Sequence, residues 1–344
     1  MHIRKFRTNM AEEKFSEIGR TEAIERLFDG TGYSPWDGCG FEAGKKGNMI
    51  RSASRMLLEG IDFDLTYFPL KHLGYKSVIS TVGELYAFLA APKTLSVTLG
   101  ISAKLDFKQI KELWEGIRTA ASEHRIQKLS LDLTPSQNGL CISVSGTGET
   151  DSLTCKRRMP AKSMDLICIS DNLGAAFMGM QILEREKRKF DATKDDSKQP
   201  ELKEYRHLIG AYLKPELNPS IVEQLESAEI IPSYGYFVTK GLSDAVKRLV
   251  RDSGLGAKVY VDKIPFPGKM FDLGKEFNID PISAALNGGD DFRLMFTVPI
   301  GKHEKFRRDF QTFDIIGHLA RPEAGAVIVT PDGVEFPMKA QGWK

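Results

Sequence analysis

Strand and helix patterns alternate along both halves of this chain, and this alternation limits its fold more than any other feature. Residues 95–101 alternate between apolar and polar as a strand does, whereas apolar residues of segment 107–121 recur at helical spacing after Asp106, a suitable N-cap. In the second half, the apolar strand pattern 166–170 precedes a helical pattern over 173–189. The interleaving predicts α/β or α+β architecture, with helices packed on sheets.

The same patterns predict the remaining elements. In the first half we expect a short helix around 21–28, strands at 48–54, 62–67, 126–131 and 140–145, and a buried helix at 72–90. In the second half we expect an exposed loop at 191–202, helices at 220–227 and 242–252, and strands at 257–261, 292–298, 314–319 and 326–330. Asn218 is the expected N-cap of one helix, and Gly254 the expected end of another. The polar stretch 146–153 suits a boundary between domains 1–150 and 151–344.

Composition narrows the class of protein. The chain has 344 residues, is 41% hydrophobic and 27% charged, and carries a net charge of +2. This is typical of a globular protein with a large core, and the balance of charge gives no footprint for nucleic acid or an anionic membrane. No apolar run reaches the ~18 residues of a membrane helix. The four scattered cysteines predict free thiols in a reducing cytoplasm rather than a zinc site or disulfides.

Three segments carry a family resemblance: residues 58–65 (Leu-Glu-Gly-Ile-Asp-Phe-Asp-Leu), residues 71–76 (Lys-His-Leu-Gly-Tyr-Lys) and residues 287–292 (Asn-Gly-Gly-Asp-Asp-Phe). Together they resemble thiamine-monophosphate kinases, ATP-dependent enzymes of the aminoimidazole-ribonucleotide-synthetase superfamily. The resemblance runs from about residue 30 to the C-terminus. It implies a two-domain α/β fold with mixed sheets, a cytoplasmic homodimer paired through the N-terminal sheets, and ATP in a cleft near that interface. No P-loop or protein-kinase signature is present, so nucleotide binding would use the device of this superfamily.

Such enzymes hold magnesium ions around the phosphates with aspartates from both domains, because the metal supplies the charge that phosphoryl transfer needs. At the matching positions the chain retains Asp37, Glu84 and Asp132 as candidate metal ligands. Three other positions carry replacements, namely Arg55, Phe237 and Lys240.

The resemblance also assigns ligand contacts. Asp132 and Arg158 fall at ATP-contacting positions. Four residues fall near the substrate, a small phosphorylated ligand: Asp62, Asp290, Asp291 and Trp343.

The replacements have two interpretations. Basic side chains can relieve the repulsion within a carboxylate pocket that has lost its metal. Alternatively, Arg55 and Lys240 bind phosphate in place of magnesium, the arginine in bidentate fashion. Both interpretations predict weak metal dependence.

Three functions follow from these observations. The first is ATP-dependent phosphorylation of thiamine monophosphate to thiamine diphosphate. The second is a non-catalytic paralogue that binds nucleotide or thiamine phosphate as a sensor or partner subunit. The third, carried only by Asp62 where the family has a histidine, is an ATP-dependent enzyme with another acceptor.

Overall fold

The computed structural model of the protein describes residues 22, 25, 26, 29 and 30, and the ranges 39–193 and 202–340. Two mixed sheets with flanking helices confirm the predicted α/β class. In the first sheet, neighbouring strands follow the order Cys39–Ala43, Met49–Leu58, Cys141–Thr150, Ala91–Ser102 and Lys128–Ser136. In the second sheet the order is Glu335–Pro337, Ala326–Val329, Gly256–Tyr260, Phe313–Ala320, Leu166–Ser170, Arg293–Val298 and Gly235–Val238. Among the described strands, only two pairs are parallel, namely Ala91–Ser102 with Lys128–Ser136 and Gly256–Tyr260 with Ala326–Val329.

The first sheet consists of β1 (Cys39–Ala43), β2 (Met49–Leu58), β3 (Ala91–Ser102), β4 (Lys128–Ser136) and β5 (Cys141–Thr150). Helix α1 (Leu70–Ala87) packs on one face of this sheet and also contacts β7 and β9 of the second sheet. Helix α2 (Phe107–Glu123) begins at Asp106, whose side chain accepts from Gln109 N in a capping box, as the sequence predicts. A Cβ on Gly74 of α1 would lie 2.0 Å from the Leu113 carbonyl oxygen, so a glycine is required where the two helices meet.

The face of the first sheet turned away from α1 is lined by hydroxyl groups. Ser54 and Ser145 lie 2.9 Å apart, and Ser96 and Ser130 lie 3.0 Å apart, each pair joining neighbouring strands. Met56 on this face is 58% exposed. Among the described residues, the helices that pack on this sheet lie on its other face.

The second sheet consists of β6 (Leu166–Ser170), β7 (Gly235–Val238), β8 (Gly256–Tyr260), β9 (Arg293–Val298), β10 (Phe313–Ala320), β11 (Ala326–Val329) and β12 (Glu335–Pro337). The short helix α3 (Ser152–Arg157) connects the two sheets along the chain. The helices that accompany the second sheet are α4 (Ala175–Thr193), α5 (Arg206–Leu213), α6 (Ile221–Ser227), α7 (Leu242–Ser253), α8 (Met270–Phe277), α9 (Pro281–Asn287) and α10 (His303–Asp309). Gly254 ends α7 in the left-handed conformation, with φ +65°, as predicted.

Several local predictions are wrong. Residues 62–67 form turns rather than a strand, because the carboxylates of Asp62 and Asp64 accept hydrogen bonds from Leu58 N and Thr66 N. Ser220, not Asn218, is the N-cap residue of α6. Strand β5 continues to Thr150, through most of the predicted boundary stretch, and α4 continues to Thr193. The predicted helix at 21–28 and the remainder of the predicted loop at 191–202 lie largely outside the described residues.

The predicted division after residue 150 stays a prediction, although the first sheet ends at Thr150 and the second begins at Leu166. Cys141, Cys155 and Cys168 are free thiols. Within the described ranges, no helix is long and apolar enough to cross a membrane.

Candidate functional site

Two of the family-like motifs meet between the sheets. The loop that carries Asp290 is bound to the segment after β7: Asp290 N donates to the Thr239 carbonyl at 2.9 Å, and Phe292 N donates to the Val238 carbonyl at 3.0 Å. Gly289, Asp290 and Phe292 all have positive φ, between +52° and +79°. For residues other than glycine this conformation is uncommon and strained, and it is typical of functional loops.

Asp290 forms an ion pair with a lysine buried in the protein interior. Lys76 Nζ of α1 lies 2.9 Å from Asp290 Oδ2, and the lysine side chain is 0% exposed whereas the aspartate is 27% exposed. The rings of Tyr212, Phe68 and Phe292 surround the ammonium group at 4.0, 5.2 and 5.4 Å. Lys76 is the last residue of the family-like segment 71–76, but the sequence analysis gave it no role; a lone lysine inside an otherwise apolar helical pattern is a signal for such a site.

Asp62 lies beside the same aromatic group. Its carboxylate accepts from Leu58 N at 2.8 Å, and its backbone carbonyl accepts from Tyr212 Oη at 3.3 Å. Burial raises the pKa of Tyr212 above its ordinary value, and the nearby charges of Asp290 and Asp62 raise it further. The structure thus brings the substrate candidates Asp62 and Asp290 together around Lys76 and Tyr212.

Asp291 points the other way. Its carboxylate accepts from Gly174 N at 2.8 Å and Ala176 N at 3.3 Å, at the beginning of α4, and the residue is 1% exposed. Burial raises the pKa of Asp291 to about 7, while the two backbone hydrogen bonds and nearby Arg293 oppose the rise. Its contacts are those of a side chain that anchors the loop to a helix N-terminus.

Glu84, a candidate metal ligand, is buried beside an arginine. Arg248 Nη2 of α7 lies 3.8 Å from Glu84 Oε2, and Arg248 Nη1 lies 4.0 Å from Asp244 Oδ2. All three side chains are 5–7% exposed. Arg248 also lies over the ring of Tyr236, at 5.2 Å. A guanidinium therefore occupies the position next to Glu84 where a cation is expected.

Phe237 fills space at the same junction between α1 and β7. It is 1% exposed, and a Cβ on Gly83, the residue before Glu84, would come within 2.2–2.4 Å of its ring. The ring also packs on Phe292, with centroids 5.5 Å apart. An aromatic side chain, rather than a carboxylate, faces the helix here.

The remaining described candidates lie on β2, on β4 and just after β7. Arg55 of β2 is half-buried and lies opposite Val144 of β5 in the strand register. It is on the face of the sheet that α1 covers. Asp132 is exposed on the opposite, hydroxyl-lined face, where its carboxylate accepts from Leu133 N. Lys240 is exposed next to Gly289. Asp37 and Trp343 lie outside the described residues.

The described residues do not fit a magnesium cluster. Within the ranges that the structure covers, no group of three or more histidine, cysteine, aspartate or glutamate side chains could hold a metal ion. Glu84 is paired with Arg248, and the sheet separates it from Asp132. Hard divalent cations need several converging oxygen ligands, and this set provides arginine and phenylalanine instead.

Arg158 lines a separate cavity of about 370 Å³. Its Nη2 donates to the Phe88 carbonyl at 3.3 Å, and Arg51 lies over the Phe88 ring at 5.0 Å. Burial lowers the pKa of Arg158 to about 10, and the positive charge of Arg51 contributes to this. Tyr236 of β7 and Tyr234, which precedes this strand, also line the cavity.

No protein-family model matches the chain. It is 23% identical to thiamine-monophosphate kinase of Aquifex aeolicus over 289 residues, which cover 84% of this chain and 85% of that protein. It is 27% identical to thiamine-monophosphate kinase of Buchnera aphidicola over 291 residues, which cover 83% of each chain. A putative hydrogenase expression/formation protein of Methanocaldococcus jannaschii is 23% identical over 288 residues, covering 79% of this chain and 78% of that protein.

Solved structures give the same fold. A complex of AaThiL with AMPPCP and TMP superposes with a TM-score of 0.78 at 20% identity, covering 97% of this chain and 100% of that one. Hydrogenase maturation protein HypE in complex with ATP superposes with a TM-score of 0.61 at 16% identity, covering 85% and 84% of the two chains. The chain is therefore similar in sequence to thiamine-monophosphate kinases, and it has the aminoimidazole-ribonucleotide-synthetase-like fold seen in the AaThiL and HypE structures.

Proposed function

We propose that this chain binds ATP and thiamine monophosphate in the cleft between its two sheets, as a homologue of thiamine-monophosphate kinase. The observation that carries the proposal is the superposition, over 97% of the chain, on a relative in complex with AMPPCP and TMP. The reaction that this pair of ligands implies is transfer of the γ-phosphate of ATP to thiamine monophosphate, which gives thiamine diphosphate and ADP.

The acceptor side of the proposed site is the group formed by Asp62, Lys76, Tyr212 and Asp290. A buried lysine that holds Asp290 in a strained loop fixes the direction of the partly exposed carboxylate before any ligand arrives. Thiamine carries a positively charged thiazolium ring, and a preoriented carboxylate next to aromatic rings is a suitable contact for it.

A second function, non-catalytic binding of nucleotide or thiamine phosphate, is favoured by the junction of α1 with α7. Arg248 next to Glu84 and the Phe237 ring against Gly83 leave little room for a hydrated divalent ion. Charge neutralisation by metal supplies several kcal/mol of transition-state stabilisation, of the order of several powers of ten in rate. Turnover without that metal would be slow, whereas binding would persist.

One pair of measurements separates the two functions. ADP release is followed by coupled assay with ATP, thiamine monophosphate and magnesium, and binding of AMPPCP and thiamine monophosphate is followed by calorimetry. Turnover by the wild type that is lost in the Asp290→Asn variant supports the kinase function. Binding without turnover supports the non-catalytic function. If the protein shows no binding and no turnover, both functions are refuted.

We further propose that the partner is a second copy of this chain, bound through the hydroxyl-lined face of the first sheet. That face lacks a covering helix within the described residues, and it presents the short side chains of the Ser54–Ser145 and Ser96–Ser130 pairs. Light scattering should give a dimer, and Ser145→Arg should give a monomer. Ser122→Arg, on an exposed position of α2, is the control. A monomeric wild type would contradict the proposal.

A cytoplasmic location stays an expectation from the sequence.

A further inference from the structure

One hydroxyl group lies between two carboxyl groups where the connecting helix α3 meets α6. Thr154 Oγ1 lies 2.5 Å from Asp151 Oδ2 and 2.7 Å from Glu226 Oε1. Thr154 is 2% exposed, and both acids are half-buried. The hydroxyl has one hydrogen, so it donates to only one of these oxygens. Two oxygens with no hydrogen between them repel each other at such distances, so the second contact requires a proton on one of the two acids.

The hydrogen bonds around the two acids assign this proton to Glu226. Asp151 is the N-cap of α3, and its Oδ1 accepts from Leu153 N at 2.7 Å and from Thr154 N at 3.2 Å. Backbone donors of this kind stabilise the ionised form of a carboxyl group. Within the described ranges, no backbone amide donates to the Glu226 carboxyl group and no basic residue pairs with it. Asp151 is therefore the carboxylate that accepts from the Thr154 hydroxyl, and Glu226 is the acid that donates to it.

The charges around Glu226 also favour its protonated form. Burial raises the pKa of Glu226, and the neighbouring carboxylates of Asp151 and Glu223 raise it further, although the Thr154 hydroxyl opposes the rise. Burial would raise the pKa of Asp151 as well, but the hydrogen bonds that it accepts lower this pKa to about 2. Arg125, which follows α2, is a cation at this junction, and it pairs with Glu223 at 2.6 Å.

The contact lies where three helices meet. Helix α6 contacts α3 through Glu226 and approaches the end of α2 through Arg125, whose Nη2 donates to Ser220 Oγ at 3.2 Å. The basic residues of α3, Lys156 and Arg157, lie in its last turn and are exposed. The element that follows α6 along the chain is β7. A change of charge on Glu226 therefore acts on the helix from which the chain enters the second sheet.

We propose that the contact between Glu226 and Thr154 is a pH-dependent switch, which holds the end of α6 on α3 while Glu226 is protonated and releases it when Glu226 ionises. The step is the loss of one proton from the Glu226 carboxyl group to water, and the bond between Thr154 and Asp151 is unchanged. Two neighbouring carboxylates then repel each other. The inference requires neither nucleotide nor turnover, so it is independent of the proposed function.

The sign of the effect follows from the raised pKa of Glu226. The folded state holds the proton at pH values where the unfolded chain, with the ordinary value of 4.5, has released it. The stabilisation is therefore fully present below about pH 4.5, and it is lost as the pH rises through the pKa of the folded state.

Hydrogen exchange of the full chain, followed by mass spectrometry at pH 4, 5, 6, 7 and 8 and corrected for the intrinsic exchange rate, tests the proposal. The protection of segment 221–227 in the wild type should fall with rising pH, by at most about tenfold per pH unit because one proton is released. Glu226→Gln keeps a donor to Thr154 without a titrating group, so its protection should stay constant and exceed that of the wild type at pH 8. Glu229→Gln, at an exposed position just after α6, is the matched control and should follow the wild type.

A second pair of variants tests the shared hydroxyl. Thr154→Val should lower the protection of this segment at pH 4 towards the wild-type value at pH 8, whereas Thr154→Ser should retain the protection and its dependence on pH. Circular-dichroism melting of each variant at pH 4 separates loss of the contact from loss of the fold. Parallel profiles of wild type and Glu226→Gln would overturn the proposal, as would a wild-type segment that is better protected at pH 8 than at pH 4.

Discussion

The ring of Phe237 lies directly against Gly83, so that a Cβ on this glycine would come within 2.2 Å of the ring. The two residues belong to different halves of the chain, α1 and β7. The glycine and the phenylalanine are therefore complementary in shape, and their contact joins the two halves of the chain.

Gly83→Ala should destabilise the protein by about 1–3 kcal/mol, because overpacking at the ring exceeds the gain in helix propensity. Urea unfolding measures this change. Gly210→Ala in helix α5 is the control, since nothing lies within 4 Å of the added Cβ, and it should be neutral or stabilising. Phe237→Leu should recover part of the loss in the Gly83→Ala background. Equal stability of Gly83→Ala and wild type would disprove the close fit.

Asp290→Asn should cost more stability than Lys76→Met. Removing Asp290 leaves a cation that is 0% exposed without its carboxylate, at a cost of about 3–5 kcal/mol reduced by the surrounding rings. Removing Lys76 leaves a carboxylate that is 27% exposed and can be solvated. Chemical denaturation of both single variants and the double variant measures the difference. The free energy of unfolding of the double variant should be close to that of Lys76→Met. The reverse order of the single variants would contradict the assignment.

Asp291 should make the protein less stable as the pH rises from about 4 to about 7. Burial raises the pKa of Asp291 to about 7 from its ordinary value of 3.8, so the folded state holds a proton that the unfolded state has released in this range. Stability then falls with pH by at most ~1.4 kcal/mol per pH unit from this group. Asp291→Asn should remove this part of the slope, measured as unfolding free energies at pH 5, 6, 7 and 8. Parallel pH profiles for variant and wild type would refute the prediction.

In the Arg248→Ala variant, the melting temperature of the protein should depend on divalent ions that bind at the junction of α1 and α7. The variant loses the guanidinium beside the carboxylates of Glu84 and Asp244, and we expect a lower melting temperature than in the wild type. Millimolar magnesium or manganese should then raise the melting temperature of the variant but not that of the wild type. Arg308→Ala serves as the control. A wild type that magnesium stabilises through Glu84, with the effect lost in Glu84→Gln, would show that Arg248 does not replace a metal.

Local signals predicted much of the fold. Asp106 and Gln109 form a capping box, a signal that lies within four consecutive residues. The apolar run 166–170 predicted a strand, and the strand Leu166–Ser170 is observed. The strand expected at 62–67 failed because two aspartate side chains, at positions 62 and 64, bind nearby backbone amides and favour turns.

The candidate site was less accessible to sequence reasoning. The loop around Asp290 was found because its glycines and aspartates form a motif. Its partner Lys76 lies 214 residues away along the chain, and a single sequence does not reveal such a pairing. Arg248 and Arg51 stand in an amphipathic helix and an ordinary strand, where an arginine usually faces solvent; only the tertiary structure places them next to Glu84 and Arg158.

Helix α1 has a consequence for how this protein unfolds. By sequence it belongs to the first half, yet it packs on the first sheet and against β7 and β9, and residues 73–87 are all buried. A fragment that ends at residue 150 would expose to water the part of α1 that contacts β7 and β9, and a fragment that begins at residue 151 would lose those contacts with α1. We therefore expect the two halves to melt in a single cooperative transition, even though the sheets are separate in topology.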